Sequence, residues 1–122
     1  MVEKPKTWKV RSLRVWDVEM YDVQKHFPET MKMLSKIPNV VNVGFNVLDP
    51  KAKIKPHNGD TNAIIRCHLG LQIPIEKTSC GLMVKQEIKH WENGKVFGFE
   101  DAFIHEAWND TDEIRIIFLF DK

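Results

Sequence analysis

Ala63-Ile64-Ile65-Arg66-Cys67-His68-Leu69-Gly70-Leu71-Gln72-Ile73-Pro74 is the stretch on which the fold turns. Alternate residues of an extended chain face opposite sides, so Ile65, Cys67, Leu69, Leu71 and Ile73 share one face. That continuous apolar face needs a cover. The opposite face carries Ile64, Arg66, His68 and Gly70. A cation, an imidazole and a residue with no side chain describe a pocket lining rather than a core. The stretch therefore predicts a strand with one packing face and one chemical face.

A second strand near the C-terminus reads Ile114-Arg115-Ile116-Ile117-Phe118-Leu119-Phe120. Its apolar run predicts burial on both faces. An unpaired guanidinium in such a run is strongly destabilising, so Arg115 requires an anion. The acids just before it, Asp112 and Glu113, read as solvent-facing, which leaves a bound ligand as the source. A guanidinium grips a carboxylate in a two-pronged geometry, and the ligand implied is a small keto acid that also reaches a metal. Histidine is a common nitrogen ligand for iron, zinc, copper and nickel, and His68 and His105 are the candidates. The usual non-haem iron site adds a carboxylate to two histidines, often two residues after the first. After His68 that position is Gly70, so a third ligand would come from water or from elsewhere.

The rest of the chain frames these strands. Residues 7–19 read as one or two strands. Val23, Phe27, Met31 and Leu34 recur at helical spacing, interrupted by Pro28, which predicts two short helices joined at Phe27-Pro28. Strands follow over 40–48, 54–57, 81–88, 96–99, 107–108 and 113–121. A turn lies at Asn58-Gly59-Asp60, fixed by Asp60 and Asn62, and a hairpin turn at Asn93-Gly94. Many short strands behind a small helical segment predict a β-sandwich or open barrel with helices on its back.

With 122 residues the chain predicts one domain, spanning 1–122. A net charge of +1 gives no electrostatic argument for nucleic acid or an anionic membrane. No stretch reaches the roughly 18 apolar residues of a membrane span, and the charged N-terminus lacks the apolar core of a signal peptide. Cys67 and Cys80 form no C-x-x-C motif. Two reduced thiols and a single bridge both fit, and the expected setting is cytoplasmic, without integral membrane contact.

Several motifs together resemble the aspartyl/asparaginyl β-hydroxylase family. They are His57-Asn58-Gly59-Asp60-Thr61-Asn62, Arg66 through Pro74, Trp91-Glu92-Asn93-Gly94-Lys95, Phe99 through Trp108, and Arg115-Ile116-Ile117-Phe118. Phe27-Pro28-Glu29-Thr30 and Asn46 through Pro50 extend the likeness upstream, to about residues 25–121. The resemblance implies a mainly β, double-stranded β-helix fold (jelly-roll, cupin-like) with the short helical segment on the back of one sheet. It implies a dioxygenase that uses Fe(II), 2-oxoglutarate and O₂ to hydroxylate an unactivated C–H bond. The substrate would be Asp or Asn residues, or a related peptide or small molecule. His68 and His105 are implied as iron ligands, with Gly70 matching the two-histidine sites of animal members, and Arg115 as the clamp on the distal carboxylate of 2-oxoglutarate. Arg66 and His57 match positions that line the site. Animal members carry a cosubstrate-binding arginine where this chain has Met83, and Lys85 is the candidate to replace it. The alternative is a non-catalytic iron- or 2-oxoglutarate-binding module of the same fold.

Overall fold

Proline dictates where the helices begin. In the computed structural model, which describes residues 8–59 and 64–122, Pro28 opens a helix at its first turn. Its missing N–H costs nothing there. The described elements are β1 (Trp8–Val15), β2 (Val18–Glu19), α1 (Tyr21–Gln24), α2 (Pro28–Leu34), β3 (Asn42–Leu48), β4 (Lys53–His57), β5 (Ile65–Gln72), β6 (Cys80–Val84), β7 (Glu87–Lys89), β8 (Val96–Glu100), β9 (His105–Asn109) and β10 (Arg115–Asp121), with a 3₁₀ turn at Lys77–Ser79. The two helices meet at Phe27-Pro28 as predicted. Ala63, Asp60 and Asn62 lie outside the described residues.

The strands form two antiparallel sheets, a six-stranded one in the order β2-β1-β3-β10-β5-β8 and a four-stranded one in the order β4-β9-β6-β7. This is the mainly β jelly-roll with helices on the back of one sheet. β10 lies between β3 and β5, which explains its two-sided apolar run. Phe118 joins Leu13, Val43 and the helical residues Val23, Phe27, Met31 and Leu34 behind the large sheet. Ile117 points the other way, into the core between the sheets with Leu82, Trp91, Phe99 and Ala107. Among the described residues no helix is long and apolar enough to cross a membrane. Cys67 and Cys80 are both free thiols.

Three local predictions change. The apolar face of β5 is not continuous. The register with β10 shifts between Gly70 and Gln72, so Leu71 is a bulge and Ile73 turns into the inter-sheet core. The helices cover Leu69 but leave Ile65 and Leu71 each 43% exposed. Residues 81–88 are not one strand but the β6–β7 hairpin. Lys85 and Gln86 both have positive φ, the conformation of a tight hairpin turn. Asn93-Gly94 is not a turn within one sheet. It belongs to a strap crossing from β7 to β8, tied down by Gly94 N–H to the Gly70 carbonyl (2.8 Å) and by Ile73 N–H to Asn93 Oδ1 (2.8 Å).

Candidate functional site

The inner face of the large sheet is polar where the strap crosses it. Register places Arg66 opposite Asp121 and His68 opposite Leu119, with Arg115 further along β10. The small sheet faces them with β4 and β9, where His57 pairs directly with His105. His57, Arg66, His68, Trp91, His105 and Arg115 all line one cavity. Its enclosed volume is about 50 Å³, room for a carboxylate-sized group. Trp8, Asn46, His57, Arg66 and Leu119 are shared with an adjoining groove of about 330 Å³, whose rim carries Trp16 and Val10.

The three histidines are prepared in two opposite ways. His57 Nδ1 lies 2.9 Å from the Lys55 carbonyl, and His105 Nδ1 lies 2.8 Å from the Phe103 carbonyl. A carbonyl can only accept, so both Nδ1 atoms carry the proton and both Nε2 atoms keep a lone pair. That is how a protein orients a metal-ligating imidazole. The two rings lie 4.3 Å apart, centroid to centroid. His68 is the reverse case. The Trp91 indole N–H donates to its Nδ1 at 3.1 Å. His68 and His105, the expected iron ligands, line the same cavity from opposite sheets. His57 is the neighbour of His105 across the β4–β9 ladder.

Two glycines shape the surroundings of the site. A Cβ at Gly70 would stand 2.1 Å from the Glu92 carbonyl, so Gly70 admits the strap. Two residues after His57 lies Gly59, where a Cβ would stand 1.8 Å from Asp101 Oδ2. The space of a side chain at 59 is filled by the carboxylate of Asp101, whose Oδ1 is 3.8 Å from His105 Nε2. Asp101 therefore brings negative charge beside the histidine pair. Among the described residues no three ligating side chains form a closed metal cluster. The donor set fits a metal held by two imidazoles with open positions and a carboxylate at longer range.

Arg115 is 1% exposed and stacks on Trp91 at 4.3 Å, and one of its Nη groups donates to Asn46 Oδ1. Burial pulls its pKa down to about 10, against the opposing pull of the Cys80 thiol, and no carboxylate among the described residues pairs with it. Arg66 is the contrast. Its Nε and Nη2 each reach Asp121 at 2.8 Å, and Nη1 is 3.3 Å from Asp101. Burial works to lower its pKa, but Asp121 and then Asp101 outweigh burial and raise it. Arg66 lines the site, yet most of its fork is committed to bracing β5 against β10. Lys85, expected to help bind cosubstrate, is carried away by the hairpin turn and rests over the Phe103 ring at 3.7 Å. It does not line the cavity.

The buried atoms without hydrogen-bond partners, among the described residues, are His68 Nε2, Arg115 Nε and Asp101 Oδ1. Leaving such groups unmatched costs about 1–3 kcal/mol each. All three belong to this one site, and they sort by wall: nitrogens on the large sheet, an acceptor oxygen beside the small-sheet histidines. Burial holds His68 well below its ordinary pKa, reinforced by Arg115 and Arg66. Burial also lowers His105, against the opposing pull of the Phe103 carbonyl. Both rings are neutral near pH 7, as metal ligation and neutral hydrogen bonding require. Asn46 and Asp101 were quoted in the sequence only as parts of longer motifs. A lone polar residue within the apolar stretch Val43–Leu48 was the available signal for Asn46. Asp101 had none of its own, because its partners Arg66 and His105 come from β5 and β9.

The profile of the Aspartyl/Asparaginyl beta-hydroxylase family matches residues 2–122. The chain is 33% identical over 114 residues to an ornithine lipid ester-linked acyl 2-hydroxylase of Rhizobium tropici, covering 93% of this chain and 41% of that protein. It is 38% identical over 102 residues to the human aspartyl/asparaginyl beta-hydroxylase, covering 80% of this chain and 13% of that one. The chain thus spans less than half the length of either relative. Among solved structures, the cupin domain of an XRE family transcriptional regulator from Enterobacter cloacae superposes with a TM-score of 0.61 at 13% identity, over 93% of this chain and 94% of that one. The cupin domain of Schizosaccharomyces pombe Cnp3 gives 0.61 at 12% identity, over 98% and 67%. At such identities the likeness concerns the fold.

Proposed function

Because this chain belongs to the aspartyl/asparaginyl β-hydroxylase family, we propose that it is an Fe(II)- and 2-oxoglutarate-dependent dioxygenase that hydroxylates an unactivated C–H bond. The observation that carries the reading is Arg115, a nearly inaccessible guanidinium with no acidic partner among the described residues, in a cavity that also holds His57, His68 and His105. The buried cation calls for a carboxylate and the histidines for a metal, and a short keto diacid satisfies both.

The iron sits among His57, His68 and His105 in this reading, and Asp101 balances part of its charge. Arg115, with Asn46 beside it, grips the distal carboxylate of 2-oxoglutarate. Each charge-assisted hydrogen bond is worth roughly 1.5–3 kcal/mol. Bound iron supplies the activation of O₂ that couples oxidation of 2-oxoglutarate to hydroxylation. The protein's own contribution is position and shelter. Trp91, Phe97 and Phe99 wall His68 with aromatic surface and keep water from the inner cavity. The substrate enters along the groove past Trp8 and Trp16, from the side of His57 and Asp101. An Asp or Asn residue of a peptide, or a related small substrate, suits a groove lined with both tryptophan and asparagine.

The test is succinate production. With Fe(II), ascorbate and O₂, the protein should convert 2-oxoglutarate to succinate, followed by NMR. Binding of 2-oxoglutarate in the presence of Mn(II) without any turnover would favour a non-catalytic sensor module. Failure to bind it at all would defeat both readings.

A further inference from the structure

Asn109 is completely buried and closes β9, four residues after His105. Its side-chain nitrogen donates to the carbonyls of Leu48 (3.2 Å), Asp49 (3.2 Å) and Glu113 (2.8 Å). Its side-chain oxygen accepts from Thr111 N–H (3.1 Å) and from Thr111 Oγ1 (2.6 Å). Carbonyls only accept, so the amide cannot turn over without setting its oxygen against three others. The backbone N–H of Asn109 goes to the Ala52 carbonyl at 2.9 Å. One residue thus ties the end of a small-sheet strand to the end of β3, to the loop before β4 and to the turn that leads into β10. Apolar packing alone would let the two sheets slide. A buried amide matched at both ends fixes their offset, because any slip leaves buried polar groups without partners.

The strands held together in this way carry the two ends of the site. Leu48 lies directly opposite Arg115 in the β3–β10 ladder, and Asn46, which accepts from Arg115, is two residues earlier on β3. His105 begins the strand that Asn109 ends, about 13 Å back along an extended chain. We propose that Asn109 is a positioning residue that sets the separation between His105 and the Arg115 clamp, and so makes the cavity select a five-carbon diacid over its four- and six-carbon homologues. The inference rests on the diacid-binding reading above and adds to it the source of its length selectivity. Asn109 touches neither ligand nor metal. It acts through the Leu48–Arg115 rung on one side and through β9 on the other.

The test titrates the Mn(II)-loaded protein with oxaloacetate, 2-oxoglutarate and 2-oxoadipate, which differ by one methylene each. Wild-type protein should favour 2-oxoglutarate over both homologues by at least about 10-fold, the low end of what one methylene discriminates. Asn109→Ala should raise the 2-oxoglutarate Kd about 10-fold and shrink its preference over 2-oxoadipate to within about 3-fold, with Mn(II) affinity unchanged. Thr111→Val removes the hydroxyl donor with little change of shape. It should shift the preference the same way by less, and it decides the question if Asn109→Ala does not fold. Leu34→Ala opens a cavity behind the large sheet and serves as the control. It should lower stability to urea and leave the preference where it was. Equal affinity of wild-type protein for the three diacids, an unchanged preference in folded Asn109→Ala or in Thr111→Val, or an equal shift in Leu34→Ala overturns the inference while diacid binding stands. Wild-type protein that binds none of the three overturns the diacid reading as well.

Discussion

The two walls of the cavity share residue types but hold them differently. On the small sheet, His57 and His105 donate Nδ1–H to backbone carbonyls, with the Asp101 carboxylate beside them. On the large sheet, His68 takes a hydrogen bond from Trp91 at Nδ1, and Arg115 lies buried with no acidic partner among the described residues. Histidines line the cavity from both walls, while the unpaired cation belongs to the large sheet alone. The difference teaches that residue type alone does not describe a site: neighbouring groups set how each side chain is held.

The most severe way to break the comparison is to remove a histidine that faces the proposed metal. His105→Ala should weaken Mn(II) binding by more than about 100-fold, since even indirect supports of a ligand cost 10- to 100-fold. Calorimetric titration checks this, with succinate formation as the accompanying loss of activity.

The two arginines sharpen the contrast next. Asp121 is fully buried and Arg66 neutralises it. Arg66→Met should therefore destabilise the fold by about 3–5 kcal/mol, because it strands a buried charge. Arg115→Met should go the other way. It removes an unpaired charge, so urea stability holds or rises, while the 2-oxoglutarate Kd increases about 100-fold. Equal losses of stability in both variants would show that Arg115 is structural.

A smaller effect concerns Gly59. A methyl there collides with Asp101, so Gly59→Ala should cost about 1–3 kcal/mol in urea unfolding. Asp101→Ala in the same chain should recover part of the loss, a non-additivity that the double-mutant cycle measures.

The mildest prediction is pH dependence. Burial lowers the folded pKa of His68 and His105 below 6.5, so the unfolded chain binds more protons as pH falls. Their contribution to stability is intact above about pH 6.5 and is lost as pH falls below it, by up to about 1.4 kcal/mol per pH unit for each group. Urea midpoints measured from pH 7.5 to 5.5 should fall, and His68→Gln should flatten the slope.

What the sequence revealed and what it hid follow from one distinction. Arg115 was legible because a cation in an apolar strand is a local anomaly, and the chemical face of β5 because alternation is local too. The helical pair was legible through Pro28. The nearness of His57 to His105 was not, because it comes from the β4–β9 ladder. Only register and packing separate Gly59, whose space Asp101 fills, from Gly70, which lets the strap pass. Lys85 was misplaced because its turn, Lys85-Gln86, contains none of the glycine or asparagine that usually mark one. Arg66 was read as lining the site. Its principal partner, Asp121, lies at the end of another strand.

The most direct test is a crystal structure of the protein with Mn(II) and 2-oxoglutarate, grown without oxygen. The metal should bind His105, with the distal carboxylate of the ligand on Arg115. A metal away from the histidines of the cavity, or a carboxylate that leaves Arg115 unpaired, would contradict the account.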